Sequence, residues 1–77
     1  YKDCNSYIKM KLEYDRKIDA GYIYLVDEIK NGEAVKTIEL DSNIILDFNK
    51  DGRLLGIEVL NASKVLNKDI LIKSKIN

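Results

Sequence analysis

The residues from Asp47 to Glu58 have the spacing of a calcium-binding loop. Asp47, Asn49 and Asp51 alternate along the chain and are followed by Gly52 and Glu58, as in the pattern D-x-[DN]-x-[DN]-G-x5-E. In such a loop the acidic and amide side chains supply oxygen ligands. The glycine permits a sharp turn, and the last glutamate binds the ion through both carboxylate oxygens. Whether these residues can form that cage depends on the elements that flank them.

The flanking segments favour a β-hairpin, because a calcium loop requires a helix on each side. Apolar residues alternate on both sides of the turn: Ile44, Leu46 and Phe48 before it, and Leu55, Ile57 and Val59 after it. In a hairpin Glu58 lies several residues from the turn and cannot close a cage there. We therefore predict a hairpin over residues 47–58, with a positive φ at Gly52. A weak cation or small-ligand site at Asp47, Asn49 and Asp51 is the alternative.

Other residue types that commonly carry catalysis are scarce. The chain has no histidine, and its single cysteine, Cys4, can form no intrachain disulfide and has no histidine to activate it. Asp15 and Asp19 are close in sequence, but no pattern isolates either carboxylate in an apolar pocket. We predict a protein that is not an enzyme, with no catalytic residues, cofactor or metal ion.

The chain length and the charge exclude further classes of protein. With 77 residues the chain can form one domain, and 13 basic side chains balance 13 acidic ones. A net charge of zero argues against nucleic-acid binding, although the lysines at positions 64, 68, 73 and 75 keep it open as an alternative. No apolar run approaches the roughly 18 residues of a membrane span. We expect a cytoplasmic protein that binds neither nucleic acid nor membrane.

Hydrophobic periodicity predicts a mainly β (α+β) fold. Strand-like patterns occur at residues 8–14, 22–26, 34–40, 44–48 and 55–59. The segment 22–26 is apolar on both faces and is expected to be the central strand. Asn61 is a suitable N-cap for a short helix over residues 62–68, whereas residues 70–76 fit either a strand or a continued helix. We predict an antiparallel β-meander of about five short strands with a short C-terminal helix.

Four sequence blocks carry a family resemblance: Met10–Asp15, Asp19–Leu25, Ile45–Gly52 and Gly56–Ser63. In this order and spacing the chain resembles the small prokaryotic family filed as domain of unknown function 2283. The resemblance implies a β-rich domain over residues 10–66, with an N-terminal extension at 1–9 and a basic C-terminal extension at 67–77. It also suggests an antitoxin role towards a protein partner encoded nearby. It carries over no catalytic residues.

These observations lead to a functional hypothesis. The leading hypothesis is a non-enzymatic protein-interaction module that forms a homodimer. A single small sheet buries too little surface to be stable as a monomer, and it has exposed edges. Tyr22 and Tyr24 share one side of the central strand and are the predicted interface residues, since tyrosine buries area while its hydroxyl finds a partner. The alternative is a weak cation- or small-ligand-binding domain at the Asp47-Asn49-Asp51 turn.

Overall fold

The computed structural model of the chain describes residues 10–73 and 75–76. The predictions that concern Cys4 and residues 1–9 lie outside the described residues. The elements are β1 (Lys11–Asp15), β2 (Ala20–Tyr24), β3 (Lys36–Glu39), β4 (Ile44–Phe48), β5 (Leu54–Leu60), α1 (Ala62–Val65), α2 (Lys68–Lys73) and β6 (Lys75–Ile76). The predicted mainly β class with a short helical segment after the last long strand is confirmed.

All strands form one sheet in the order β3-β4-β5-β2-β1-β6. Strands β1 to β5 pair antiparallel with one another, and the two-residue β6 runs parallel to β1. The sheet therefore combines two local units, a β1–β2 hairpin and a β3–β4–β5 meander, which join where β2 pairs with β5. The predicted central strand is central, but its neighbour β5 comes from the far end of the sequence, so the strand order departs from that of a simple meander.

The β4–β5 connection is the predicted hairpin turn. The Asn49 side-chain oxygen accepts hydrogen bonds from the backbone N–H groups of Asp51 and Arg53, both at 2.9 Å. Gly52 has a φ of +80°, a left-handed conformation in which a side chain is disfavoured. Both the hairpin and the positive φ at Gly52 are confirmed.

The sheet has one apolar and one polar face, as its period-two sequences require. The strand registers place Leu12, Ile23, Ile57 and Leu46 side by side on the apolar face. The polar face carries Glu13, Tyr22, Tyr24, Glu58 and Asp47, which the same registers bring together. Among the described residues the buried hydrophobic core consists of Ala20, Leu55, Val59 and Ala62. This core is small for a domain of this length.

Helix α1 packs on the apolar face at the β2–β5 junction. A Cβ atom on Gly21 would lie 3.9 Å from the Cβ of Ala62. Asn61 occupies the N-cap position, but its side chain makes no capping bond and instead donates to Asn43 at 2.9 Å. Asp19, from the β1–β2 turn, caps the helix in its place by accepting bonds from the Ser63 N–H at 2.9 Å and the Ser63 hydroxyl at 2.7 Å. The predicted N-cap position of Asn61 is therefore confirmed, whereas the side-chain capping bond comes from Asp19.

The segment after α1 contains both a helix and a short strand, the two structures that its sequence allowed. Helix α2 covers Lys68–Lys73 and β6 covers Lys75–Ile76, so the chain passes over the apolar face and returns to the sheet beside β1. An open apolar groove of about 230 Å³ lies under the helices, lined in part by Leu12, Ile23, Leu66 and Ile70. Within the described residues, no helix is long and apolar enough to cross a bilayer.

Candidate functional site: a tyrosine–carboxylate network and an open apolar surface

Tyr22 spans the strand next to its own. Its side chain lies above Gly56 on β5, where an added Cβ would come within 2.5 Å of the ring. Its hydroxyl donates a hydrogen bond of 2.7 Å to the Asp47 carboxylate on β4. The other oxygen of Asp47 accepts a 2.8 Å bond from the Thr37 hydroxyl on β3. The absence of a side chain at Gly56 therefore lets Tyr22, Asp47 and Thr37 connect four neighbouring strands.

Tyr24 continues this network towards the other edge of the sheet. Its ring packs edge-on against Tyr22, with the centroids 4.8 Å apart and the planes inclined by 65°. The Tyr24 hydroxyl donates to Glu13 at 3.4 Å, and the Lys11 ammonium lies 4.8 Å from the ring centroid. We call the set Thr37, Asp47, Tyr22, Tyr24 and Glu13 the tyrosine–carboxylate network.

The network keeps its phenols protonated. Burial, followed by the hydrogen bond to Asp47, raises the pKa of Tyr22 well above the ordinary value for tyrosine. Burial and the neighbouring Glu13 carboxylate raise the pKa of Tyr24 as well. Both side chains therefore act as hydrogen-bond donors to carboxylates at neutral pH.

A second phenol–carboxylate pair supports the helix cap. Tyr14, on the apolar face, donates a 2.7 Å bond to the Asp19 carboxylate. The hydrogen bonds from Tyr14 and then Ser63 lower the pKa of Asp19 below its usual range, because they favour its ionised form. The same contact with Asp19 raises the pKa of Tyr14.

The structure does not bring Asp47, Asn49 and Asp51 together as a ligand set. The Asp47 carboxylate is bonded to Tyr22 and Thr37, whereas the Asn49 oxygen accepts from the backbone of its own turn. Asp51 is exposed at the turn. Among the described residues, no group of three or more acidic, cysteine or histidine side chains is arranged to hold a metal ion.

The apolar face is covered unevenly. Helix α1 contacts β2 and β5, and the groove under the helices involves β1 and β2. The main helix contacts with the sheet are thus at β2 and β5, and on the apolar side of β3, β4 and β5 the exposure rises from Leu55, which is 3% exposed, towards the β3 edge. We call this region the open half-face, and it comprises Ile38, Ile44, Leu46, Phe48 and Ile57. Ile38 is 40% exposed, and Leu40 beside it is 64% exposed.

Sequence reasoning identified some of these residues and missed others. Tyr22 and Tyr24 were recognised as a pair on one side of a strand. Asp47 was considered only as a metal ligand, because a carboxylate in a turn pattern gives no sign of a tyrosine partner 25 positions away. The roles of Gly56 and Thr37 require the sheet order. The glycine within an otherwise apolar strand was the one available signal, since such glycines often mark a close approach by another group.

Comparison with known proteins identifies the family of the chain. The profile of the family described as protein of unknown function (DUF2283) matches residues 11–63, which is more than half of the chain. The chain therefore belongs to this family, and the resemblance noted in the sequence is confirmed. No solved structure matches the chain.

A curated relative comes from an archaeon. The chain is 39% identical over 62 residues to the uncharacterized protein MJ0789 of Methanocaldococcus jannaschii. The matched region is 80% of this chain and 49% of the relative. The chain thus spans about half the length of the curated relative that it matches.

Proposed function

We propose that the chain is a non-enzymatic protein-interaction module that binds protein through the open half-face. One observation carries the proposal: aliphatic and aromatic side chains of β3, β4 and β5 lie side by side, and at the β3 edge of this set Ile38 and Leu40 are 40% and 64% exposed. Contiguous apolar surface of this kind is a mark of interaction sites in soluble proteins.

The polar face supports the non-enzymatic part of this proposal. Its carboxylates at Asp47 and Glu13 accept hydrogen bonds from Tyr22 and Tyr24. These acids therefore hold strands together, whereas acid–base catalysis needs carboxylates aimed into a cleft at substrate. The predicted interface residues Tyr22 and Tyr24 lie on the face opposite the open half-face, so their interface role remains a separate prediction.

Self-association and neutralisation of a partner protein both require an apolar docking surface. The homodimer remains a proposal that rests on the small core and the exposed sheet edge, and sedimentation of the full chain at micromolar concentration tests it. The antitoxin-like role remains a proposal that rests on the family resemblance, and co-expression with the product of a neighbouring gene tests it. We do not propose the cation-binding alternative, because Asn49 and Asp47 already direct their oxygens to partners within the chain.

Two adjacent residues of β4 provide a matched test. Leu46 lies on the open half-face and Ile45 on the polar face, and both are half-buried. The wild-type chain and the variants Leu46→Lys and Ile45→Lys are immobilised and exposed to an extract of the native cells. We expect Leu46→Lys to abolish capture and Ile45→Lys to retain it. Absence of any capture that depends on Leu46 would contradict the proposal.

A further inference from the structure

We propose that the free edge of β3 pairs antiparallel with the same edge of a second copy of this chain. The two-fold axis passes between the two Ile38 residues and stands perpendicular to the sheet. This inference goes beyond the proposed function, because it assigns a role to backbone groups of an edge strand rather than to the side chains of the open half-face. The hydrogen-bond pattern of β3, the side chains along its edge and the opposite edge of the sheet carry it.

The hydrogen bonds between β3 and β4 alternate along the strand. The Leu40 N–H donates to the Ile44 carbonyl oxygen at 2.8 Å. In an antiparallel ladder such bonded pairs recur at every second position, so Ile38 and Leu46 form the next one. The even-numbered residues of β3 therefore direct their backbone groups to β4.

The odd-numbered residues of β3 direct their backbone groups away from the sheet. β3 stands at the end of the strand order, and within the described residues β4 is its single neighbour. The N–H and C=O groups of Thr37 and Glu39 are therefore unpaired donors and acceptors, and both residues are exposed. A row of such groups is a template on which another strand can pair.

Pairing centred on Ile38 uses both outward-facing residues. Thr37 then lies opposite the partner's Glu39, the two residues exchange both N–H···O bonds, and the two-fold axis repeats this pair. Ile38 lies opposite the partner's Ile38 at a closely spaced position without hydrogen bonds, so the two side chains meet on the apolar face. Centring the pairing on Glu39 would instead place two carboxylates opposite each other, which is unfavourable.

The side chains along the edge favour a second copy as the occupant. Ile38 and Leu40 are 40% and 64% exposed. The Ile38-centred register brings Leu40 opposite the partner's Lys36, whose aliphatic stem can cover it while the ammonium group reaches water. Lys36 begins the strand, whereas Glu39 and Asp41 lie at its end. Antiparallel pairing of identical strands therefore sets the basic end of one copy against the acidic end of the other.

Lys36 does not block this edge. A lysine that points to the apolar side is one of the devices by which edge strands avoid association. Here it occupies the first position of β3, so the residues that would pair, Thr37 to Glu39, are left clear. In the Ile38-centred register it also does not lie opposite its own copy. The strand contains neither proline nor glycine, the residues that weaken pairing most.

The opposite edge of the sheet limits the assembly to a dimer. That edge ends in β6, which pairs with β1 and is two residues long. Very short edge strands are a recognised way of preventing further pairing. Head-to-tail addition of copies is therefore disfavoured. One long open edge per chain closes in an isologous pair.

Sedimentation of the full chain over a range of micromolar concentrations tests the pairing. The expected mass rises with concentration towards ~18 kDa, twice the 8.9 kDa of one chain. Glu39→Pro removes an outward N–H and places its ring where the partner strand would lie. The bonds to β4 remain, because an edge strand tolerates proline whose nitrogen faces solvent. We expect this variant to stay at ~9 kDa. Glu39→Ala, which loses the same carboxylate but keeps the N–H, is the matched control and should dimerise.

Amide hydrogen exchange of the wild-type chain locates the contact without any substitution. The Leu40 N–H is bonded to Ile44 within the chain and should be protected at every concentration. The amides of Thr37 and Glu39 face solvent in the single chain and should exchange at least about threefold more slowly once the dimer predominates. A dimer in which both amides exchange as fast as in the dilute protein would overturn the edge pairing.

The edge pairing and the interaction module fail in different ways. A wild-type chain that stays at ~9 kDa throughout, or a Glu39→Pro variant that dimerises as the wild type does, would overturn the pairing. If Glu39→Pro does not fold, the exchange measurement on the wild type decides. Capture of a cellular protein that depends on Leu46 would support the module in either case, because Leu46 lies on β4 and not at the edge. Loss of that capture with the dimer intact would overturn the module alone.

Discussion

Tyr22 lies over Gly56, and the Tyr22 ring occupies the space that a side chain at position 56 would need. An added Cβ would come within 2.5 Å of both a ring carbon and the hydroxyl oxygen of Tyr22. The hydrogen bond from Tyr22 to Asp47 therefore depends on the absence of a side chain on the intervening strand. The family-matched region includes all three of these residues.

Gly56→Ala should destabilise the fold by about 1–2 kcal/mol, because the displaced ring loses its bond to Asp47. Urea denaturation of the single variants and of the double variant with Tyr22→Ala measures the coupling. In the Tyr22→Ala background, the added methyl group meets no ring and should cost less than about 0.5 kcal/mol. Equal costs in both backgrounds would show that Tyr22 and Gly56 are not coupled.

Tyr22→Phe should lower the free energy of unfolding by about 1 kcal/mol at neutral pH, since it removes one hydrogen bond while the ring remains. The raised pKa of Tyr22 gives this difference a pH dependence. The hydroxyl contribution is fully present below the unfolded pKa of about 10 and is lost as the pH rises through the folded pKa. Denaturation of both proteins at pH 8 and pH 11 should therefore show the difference shrinking at the higher pH.

Asp19→Asn should remove part of the acid sensitivity of the protein. The lowered pKa of Asp19 means that its contribution is present above the unfolded value of about 3.9 and is lost as the pH falls through the folded value. Wild type should be the more stable at pH 7, and the two should converge in acid below pH ~4. Asp51→Asn, the same charge change at an exposed turn, is the matched control.

Gly52→Val should cost roughly 1–2 kcal/mol, because a β-branched residue is strained at a φ of +80°. No atom lies within 4 Å of the position at which its Cβ would stand, so the cost comes from the backbone rather than from a collision. Gly52→Asn should cost less, since asparagine tolerates the left-handed conformation. An unchanged melting temperature for Gly52→Val would count against this explanation.

Calcium should produce no binding heat at micromolar concentration and no coordinated backbone shifts at Asp47 and Glu58. The reason is geometric, because Asp47 is bonded to Thr37 and Tyr22 while Asn49 closes its own turn. Calorimetry and amide NMR during a calcium titration measure both quantities. Micromolar binding with shifts at both acids would require the turn to rearrange into a cage.

Local patterns predicted the elements of this fold better than their arrangement. Alternation located β4 and β5, and the residues from Asn49 to Gly52 specified the turn between them, because hairpin geometry is encoded by adjacent residues. The pairing of β2 with β5 brings Tyr22 opposite Glu58, 36 positions away, and no local pattern specifies that neighbour. Hydrophobic periodicity therefore could not predict the order of the strands in the sheet.

In the candidate site, too, local patterns predicted individual residues but not the features that depend on the arrangement of the strands. The apolar sides of β4 and β5 could be listed from sequence, so the side chains of the open half-face other than its edge residue were identified in advance as inward-facing. Which part of this face α1 covers depends on where the helix packs on the sheet, and that position requires the strand order. The cap of α1 was assigned to Asn61 from its position, whereas Asp19 supplies it from 44 residues away. A side chain that is distant in sequence was the better-placed acceptor.

A cut in the β2–β3 connection would separate the two local units of the sheet, the β1–β2 hairpin and the β3–β4–β5 meander. Asn31 and Gly32 lie in an exposed turn of the β2–β3 connection, and Gly32 has a φ of +82°. A break there would leave the β1–β2 hairpin on one piece and the β3–β4–β5 meander with both helices on the other. The interface between the two pieces would consist of the β2–β5 and β1–β6 pairings together with the Tyr22–Asp47 and Asp19–Ser63 hydrogen bonds. The domain thus has the layout of a split reporter, in which complementation of the two fragments would restore the native sheet.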